Sequence, residues 1–128
     1  VITFERDKNI IRMAEINPYS KNLFNMKNIK IVFGDVFEKI KEIKDEEFDI
    51  VLHDPPTPTL SPLLYSTGFY QQLLRVMKKN AVIYHYTPMP GNKKKKRDFP
   101  EEVKKRIAAV GFKDIKIVDY AQGIIARK

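Results

Sequence analysis

Four places in this 128-residue chain put reactive side chains directly behind short apolar runs. Glu5 follows "VITF", Gly34-Asp35 follows "IKIVF", His53-Asp54-Pro55-Pro56 follows "FDIVL", and His85-Tyr86 closes "AVIYHY". An acid at the end of a strand can accept two hydrogen bonds from a vicinal diol such as a ribose presents. The plainer alternative for Glu5 is an exposed strand-end charge. Gly34 allows close approach to the backbone, and Asp35 can accept from an exocyclic amino group such as that of adenine. Asp35 can also cap the helix that follows, and the two roles are compatible.

The chemistry of "HDPP" depends on its prolines. An Asp followed by two prolines has a rigid, extended backbone with no amide donors of its own. The Asp54 carboxylate and a proline carbonyl can together hold an incoming amino group and position a nitrogen nucleophile for in-line attack. The plainer reading is a strand stopped by prolines. His53 can act as a general base, although a histidine in the last position of a strand is more often packed or solvent-facing. The run Lys93-Lys94-Lys95-Lys96-Arg97 can contact phosphates, or can be a solvated loop. Tyr65, Phe69 and Tyr70 can stack on a base, but their helical spacing reads as core. With no cysteine and two histidines, no metal site is expected. There is no phosphate-cradling glycine loop and no Ser–His–Asp pattern.

Positioning these residues falls to alternating elements. Strand patterns cover Val1–Glu5, Ile29–Phe33, Phe48–His53 and Ala81–Tyr86. Helical spacing covers Lys8–Ile16, which Asn17-Pro18 stops or kinks, then Val36–Ile43, Gly68–Lys79 and Pro100–Val110. In the third of these Phe69, Leu73, Val76 and Met77 face inward, and Asn80 is its expected stop. Gly111 caps the last helix. "KDIKIVDYA" and "GIIARK" are two final strands, with Gln122-Gly123 as an antiparallel return. Such alternation implies one α/β domain over residues 1–128 with a mainly parallel sheet and right-handed crossovers. A parallel sheet binds ligands at the carboxyl ends of its strands. Glu5, Asp35, Asp54, His85 and Tyr86 are therefore all expected on one sheet edge.

Composition narrows the class. The chain is 43% apolar, as in a globular protein, and no segment approaches the roughly 18 apolar residues of a membrane span. No secretory-leader pattern is visible at its start, and the absence of cysteine fits a cytoplasmic protein. A net charge of +8 suggests an anionic partner, with nucleic acid first, RNA favoured, and a membrane surface a distant second.

Taken together, these residues resemble the Rossmann-like S-adenosylmethionine-dependent methyltransferases. "ITFERD" looks like the strand whose terminal acid holds the cofactor ribose, which implies Glu5. "VFGDV" is similar to the segment whose Asp lies against the adenine, which implies Asp35 with Gly34 and Val36 beside it. "FDIVLHDPP" looks like the fourth strand with its [D/N]-P-P motif, which implies Asp54, Pro55 and Pro56 as the catalytic turn. The last segment, from Gly111 to Lys128, resembles the antiparallel strand pair of this superfamily. "NPYSKNLF", "LYSTGFYQQLLRVMK" and "HYTPMPG" look more narrowly like archaeal predicted methyltransferases of the spermidine-synthase-like branch.

The resemblance implies S-adenosylmethionine as cofactor and a nitrogen nucleophile, on RNA or another anionic substrate, as methyl acceptor. His53, His85, Tyr86, Lys93, Lys94, Lys95, Lys96 and Arg97 are then the expected substrate contacts. Two features depart from the family. The glycine-rich first strand–turn is absent, and because that strand lies centrally, its loss would split the sheet and leave unpaired edges. The expectation is a partial domain: a fragment, a chain whose missing half lies on another polypeptide, or one whose strands re-pair by homodimerisation or swapping. Thr57 also stands where an aromatic residue follows the double proline in adenine-amino methyltransferases. Two alternatives use the same fold. One is aminopropyl transfer to a polyamine, for which a chain of +8 is a poor host. The other is a non-catalytic nucleic-acid-binding protein.

Overall fold

The first strand–helix connection is built by one aspartate. Asp7 has an extended backbone and its carboxylate accepts the Asn9 amide at 2.8 Å, which satisfies an orphan donor of the first helix turn. In this computed structural model, which describes residues 1–87 and 98–128, two compact units cover residues 1–42 and 43–128.

In the first unit, β1 (Ile2–Glu5) runs parallel to β2 (Lys30–Phe33), with Ile2 opposite Lys30 and Glu5 opposite Phe33. Between them lie α1 (Lys8–Ile16) and α2 (Lys21–Asn25). Asn17 and Pro18 do stop α1 as expected. The Asn17 side chain then accepts the Tyr19 amide at 3.0 Å and starts a 3-10 turn over Pro18–Ser20. Proline is harmless in that first position because its missing N–H would have had no helical partner. The chain therefore restarts into α2, which the sequence pattern does not suggest. After β2, Asp35 caps α3 (Val36–Lys39), and Ile40–Glu42 tighten into a 3-10 turn. The helix expected over Val36–Ile43 is thus half α and half 3-10.

The second unit contains β3 (Phe48–His53), α4 (Thr67–Val76), β4 (Met77–Tyr86), α5 (Phe99–Val110), β5 (Lys113–Val118) and β6 (Gly123–Arg127). The sheet order is β3-β4-β6-β5, with β3 and β4 parallel and the other neighbours antiparallel. Alternation along β4 buries Ala81, Ile83 and His85, and Thr87 is buried just beyond its end. Buried with them are Phe69, Tyr70, Leu73 and Val76 of α4, Val103 and Ile107 of α5, and Ile124 and Ala126 of β6. Phe69, Leu73, Val76 and Met77 are inward as their spacing predicts. On the edge strand β3, Ile50 and Leu52 remain 75% and 72% exposed.

This is a mixed α/β fold with a parallel Rossmann-like sheet and an antiparallel strand pair. The strands form two sheets, β1-β2 and β3-β4-β6-β5. The expected shared edge is present within each sheet by itself.

Three local expectations change. First, α4 ends at Val76, not Lys79, because Met77 is already extended (ψ 139°) and pairs with Phe48. The next pair is Ile50 with Val82, so Lys78–Ala81 bulge out of the ladder. Asn80 is left-handed (φ 64°), as its residue type suggests, but it turns this bulge and does not stop the helix. Second, α5 starts one residue earlier, with Asp98 as its cap and Pro100 in its first turn. Its end is as expected, at a left-handed Gly111 (φ 118°). Third, Gln122 (φ 51°) is the left-handed residue of the last turn, after a 3-10 turn at Asp119–Ala121. Gly123 is the first residue of β6 and is needed for space, since a Cβ there would lie 2.5 Å from the Tyr84 ring.

Candidate functional site

At the carboxyl ends of β1 and β2 the structure brings Glu5 and Asp35 together with Gly34 and Val36. The strands are tied there by the Gly34 amide, which donates to the Glu5 carbonyl at 2.9 Å. Gly34 has φ 138°, a conformation that favours glycine, and the Lys39 side chain packs over it, within 3.3 Å of where a Cβ would lie. Glu5 Oε1 accepts the Asp7 amide at 2.8 Å. Asp35 Oδ1 accepts the Phe37 amide at 2.9 Å, so the capping alternative holds. Its Oδ2 lies 3.6 Å from Nη1 of Arg6. Arg6 belongs to this group, although no motif in the sequence gives it a role. Its signal was adjacency, a cation next to a strand-end acid. The pair is a single exposed contact, with side chains 62% and 47% accessible, and such pairs contribute about 1 kcal/mol at most.

At the carboxyl ends of β3 and β4, Asp54 is exposed, Pro55 buried and Pro56 exposed. Because neither proline can donate, the turn is held by a donor from elsewhere. The Tyr65 hydroxyl donates to the Pro56 carbonyl at 3.0 Å. Tyr65 is itself fixed: its ring is 1% exposed and packs on Phe99 at 5.5 Å, and its carbonyl accepts from Arg106 Nη1 at 3.2 Å. Burial, then the Asp54 charge and Tyr86, push the Tyr65 hydroxyl up to about 12. Burial and the same two neighbours also raise Tyr84.

His53 and His85, expected as substrate contacts, are both placed in the core. Both strands alternate so that these rings point into the core, where they are 7% and 1% exposed. The rings lie 4.3 Å apart, with Phe69 5.3 Å from His53 and Tyr65 5.5 Å from His85. His85 Nε2 and the Tyr70 hydroxyl, which burial keeps protonated, are hydrogen-bonded at 2.9 Å, with the donor set by the imidazole tautomer. His85 Nδ1, Thr87 Oγ1 and both His53 nitrogens make no hydrogen bond among the described residues. Burial lowers His85 to about 4, partly offset by the carbonyls of Tyr86 and His53. Burial, then His85, pulls His53 well below its ordinary value. Both rings are therefore neutral at neutral pH. This is the packed alternative for His53.

Tyr86 is half-buried, with its hydroxyl 3.4 Å from Gln122 Oε1. Tyr65, Phe69 and Tyr70 are core, as their spacing suggested. Lys93, Lys94, Lys95, Lys96 and Arg97 lie outside the described residues. Among the described residues, no three His, Cys, Asp or Glu side chains are grouped to hold a metal ion. No helix there is long and apolar enough to cross a membrane.

Comparison with known proteins places this geometry in context. The whole chain is 44% identical over 128 residues to the uncharacterised protein MJ1233 of Methanocaldococcus jannaschii, and spans 44% of that protein's length. The fold matches a spermidine synthase solved with a transition-state analogue, with TM-score 0.77 and 20% identity over 99% of this chain and 46% of that one. It also matches a SAM-dependent methyltransferase from Archaeoglobus fulgidus, with TM-score 0.70 and 17% identity over 99% of this chain and 75% of that one. Residues 8–94 match the sequence pattern of one family. By that match, the chain belongs to a family of S-adenosyl-L-methionine-dependent methyltransferases.

Proposed function

We propose that the chain takes part in methyl transfer from S-adenosylmethionine to a nitrogen nucleophile. The observation that carries this reading is the pair of carboxylates, Glu5 and Asp35, at the ends of neighbouring parallel strands. Glu5 uses Oε1 on the Asp7 amide, and its other oxygen can accept from a ribose diol. Asp35 keeps lone pairs beyond those used by its cap and by Arg6. With these remaining acceptors, the residues present fit the diol and amino edges of the adenosyl end of the cofactor. When bound, S-adenosylmethionine supplies a methyl group on a good sulfonium leaving group.

For the acceptor, the reading relies on the Asp54–Pro56 turn. Its exposed carboxylate can accept a hydrogen bond from an amine, and the Tyr65 hydroxyl holds the turn in one shape. Orientation of this kind lowers a barrier without acid–base chemistry, and the neutral, buried histidines offer none. The charge of +8 and the basic run at Lys93–Arg97 support an anionic acceptor such as RNA.

Calorimetry with S-adenosylmethionine tests the reading. Binding should weaken at least tenfold in Glu5→Ala and in Asp35→Asn, a variant that keeps the cap. A well-folded chain that does not bind would overturn it. If decarboxylated S-adenosylmethionine binds more tightly than S-adenosylmethionine itself, aminopropyl transfer replaces methyl transfer as the activity.

A further inference from the structure

We infer that His53, His85 and Thr87 together bind one internal water molecule in the core at the carboxyl ends of β3 and β4. The inference goes beyond the methyl-transfer reading and does not depend on it. Register brings the three side chains together. His53 pairs with His85 on the neighbouring parallel strand, and the two ring centres lie 4.3 Å apart. Thr87 follows two residues after His85, and its amide donates to the Gln122 carbonyl at 2.9 Å, which continues the ladder past the end of β4. Its side chain therefore takes the same face as His85. All three are buried, at 7%, 1% and 0% exposure. Four of their polar atoms, His53 Nδ1 and Nε2, His85 Nδ1 and Thr87 Oγ1, have no hydrogen-bond partner among the described residues.

Buried polar groups in native proteins are nearly always paired, because an unmade hydrogen bond costs more than a made one returns. The neighbouring rings do not supply the partners. Phe69, packed on His53 at 5.3 Å, carries no polar side-chain atom. The Tyr65 hydroxyl donates to the Pro56 carbonyl, and the Tyr70 hydroxyl is engaged with His85 Nε2. The chemistry of the four atoms then selects the ligand. Burial holds both rings neutral, so each imidazole has one N–H and one bare nitrogen, and the Thr87 hydroxyl both donates and accepts. Whichever tautomer His85 adopts against Tyr70, the group asks for a donor and an acceptor in one ligand. An anion only accepts. A metal cation takes lone pairs only, and among the described residues no third His, Cys, Asp or Glu joins the pair to hold one. Water does both, and a buried water typically makes about three hydrogen bonds to groups of this kind.

Oxygen-17 relaxation dispersion of water, measured on the full chain, counts waters that stay inside the protein longer than it takes to tumble. It observes the water oxygen, so exchanging imidazole and hydroxyl protons do not contribute. Thr87→Val removes the hydroxyl at nearly constant shape. It should lower the dispersion amplitude by the equivalent of one water and lower the urea midpoint. Thr87→Ser, which keeps the hydroxyl, should retain the amplitude. A dry cluster predicts the opposite for stability, since replacing an unpaired buried hydroxyl by a methyl raises the midpoint. A wild-type chain with no long-lived water overturns the inference without any variant. So do an unchanged amplitude in Thr87→Val, a midpoint that rises or does not move in that variant, and an equal loss of amplitude in Thr87→Ser.

Discussion

Acid should destabilise the second unit well before ordinary carboxylates begin to protonate. His53 and His85 are buried side by side, 4.3 Å apart, and burial lowers both below the ordinary imidazole value of 6.5. In the unfolded chain each takes up a proton near that value. In the folded chain His85 resists until about pH 4. The unfolded state thus binds more protons below pH 6.5, and stability falls as pH falls, by about 1.4 kcal/mol per pH unit for each resisting group. Integrated from pH 7 to pH 5, that is roughly 2 kcal/mol for His85, and burial of a neutral His53 adds to the loss in the same direction. Such a loss is a large part of a domain's stability of about 5–15 kcal/mol. Ordinary carboxylates remain ionised in this window, so the slope belongs to imidazole. Urea unfolding followed by circular dichroism at pH 7, 6 and 5 measures it. A double variant, His53→Phe with His85→Phe, should show a nearly flat profile over the same range. A wild-type midpoint that does not move between pH 7 and 5 would refute the argument, as would an equal slope in the double variant.

Three further outcomes follow from single contacts. Tyr65→Phe keeps the buried ring but removes the hydroxyl from Pro56; it should cost about 1 kcal/mol in chemical unfolding and speed hydrogen exchange at Leu60 and Ser61, whose amides close the turn onto the Thr57 carbonyl. Gly123→Ala would place a methyl 2.5 Å from the Tyr84 ring; forcing that ring off the Ala121 carbonyl, now 2.6 Å from its hydroxyl, should cost about 1–3 kcal/mol and change the near-ultraviolet tyrosine signal. Asp98→Ala removes the cap on the Glu101 amide and should lower stability by about 1 kcal/mol, visible as a fall in the thermal midpoint.

What the sequence disclosed, and what it hid, divides along the range of the physics involved. Alternation of apolar runs with amphipathic segments is local, and it placed β1, α1, β3 and the body of α4 within a residue or two. The ends of elements depend on partners far along the chain. Nothing within "RVMKKN" shows that Met77 will pair with Phe48, or that Asn80 will turn a bulge instead of ending a helix. Likewise, Gly123 resembles half of an ordinary turn until the Tyr84 ring is seen to occupy the space of its side chain. His53 and His85 show the same limit at the site. Their positions at strand ends were legible, but which face of the strand they take depends on register, and register turns both rings into the core.

The strand-end acids share a property that bears on how any test of them must be designed. Asp35 caps α3, Asp7 caps α1, and Glu5 accepts the Asp7 amide. The backbone that presents the acids is thus partly shaped by the acids themselves. Truncating Asp35 to Ala removes a cap as well as a ligand, and loss of binding would then be ambiguous. Asparagine retains a capping oxygen while removing the charge, so the difference between Asp35→Asn and Asp35→Ala separates the two contributions. The Asp54 turn is arranged differently. Its prolines remove the donors an aspartate could use locally, so the Asp54 carboxylate is left exposed and the burden of shape passes to Tyr65, nine residues downstream of Pro56. Asp54→Asn should therefore leave stability close to that of the wild type, while Tyr65→Phe lowers it. An Asp54→Asn chain destabilised as much as Tyr65→Phe would mean that the carboxylate holds the turn instead of being presented by it.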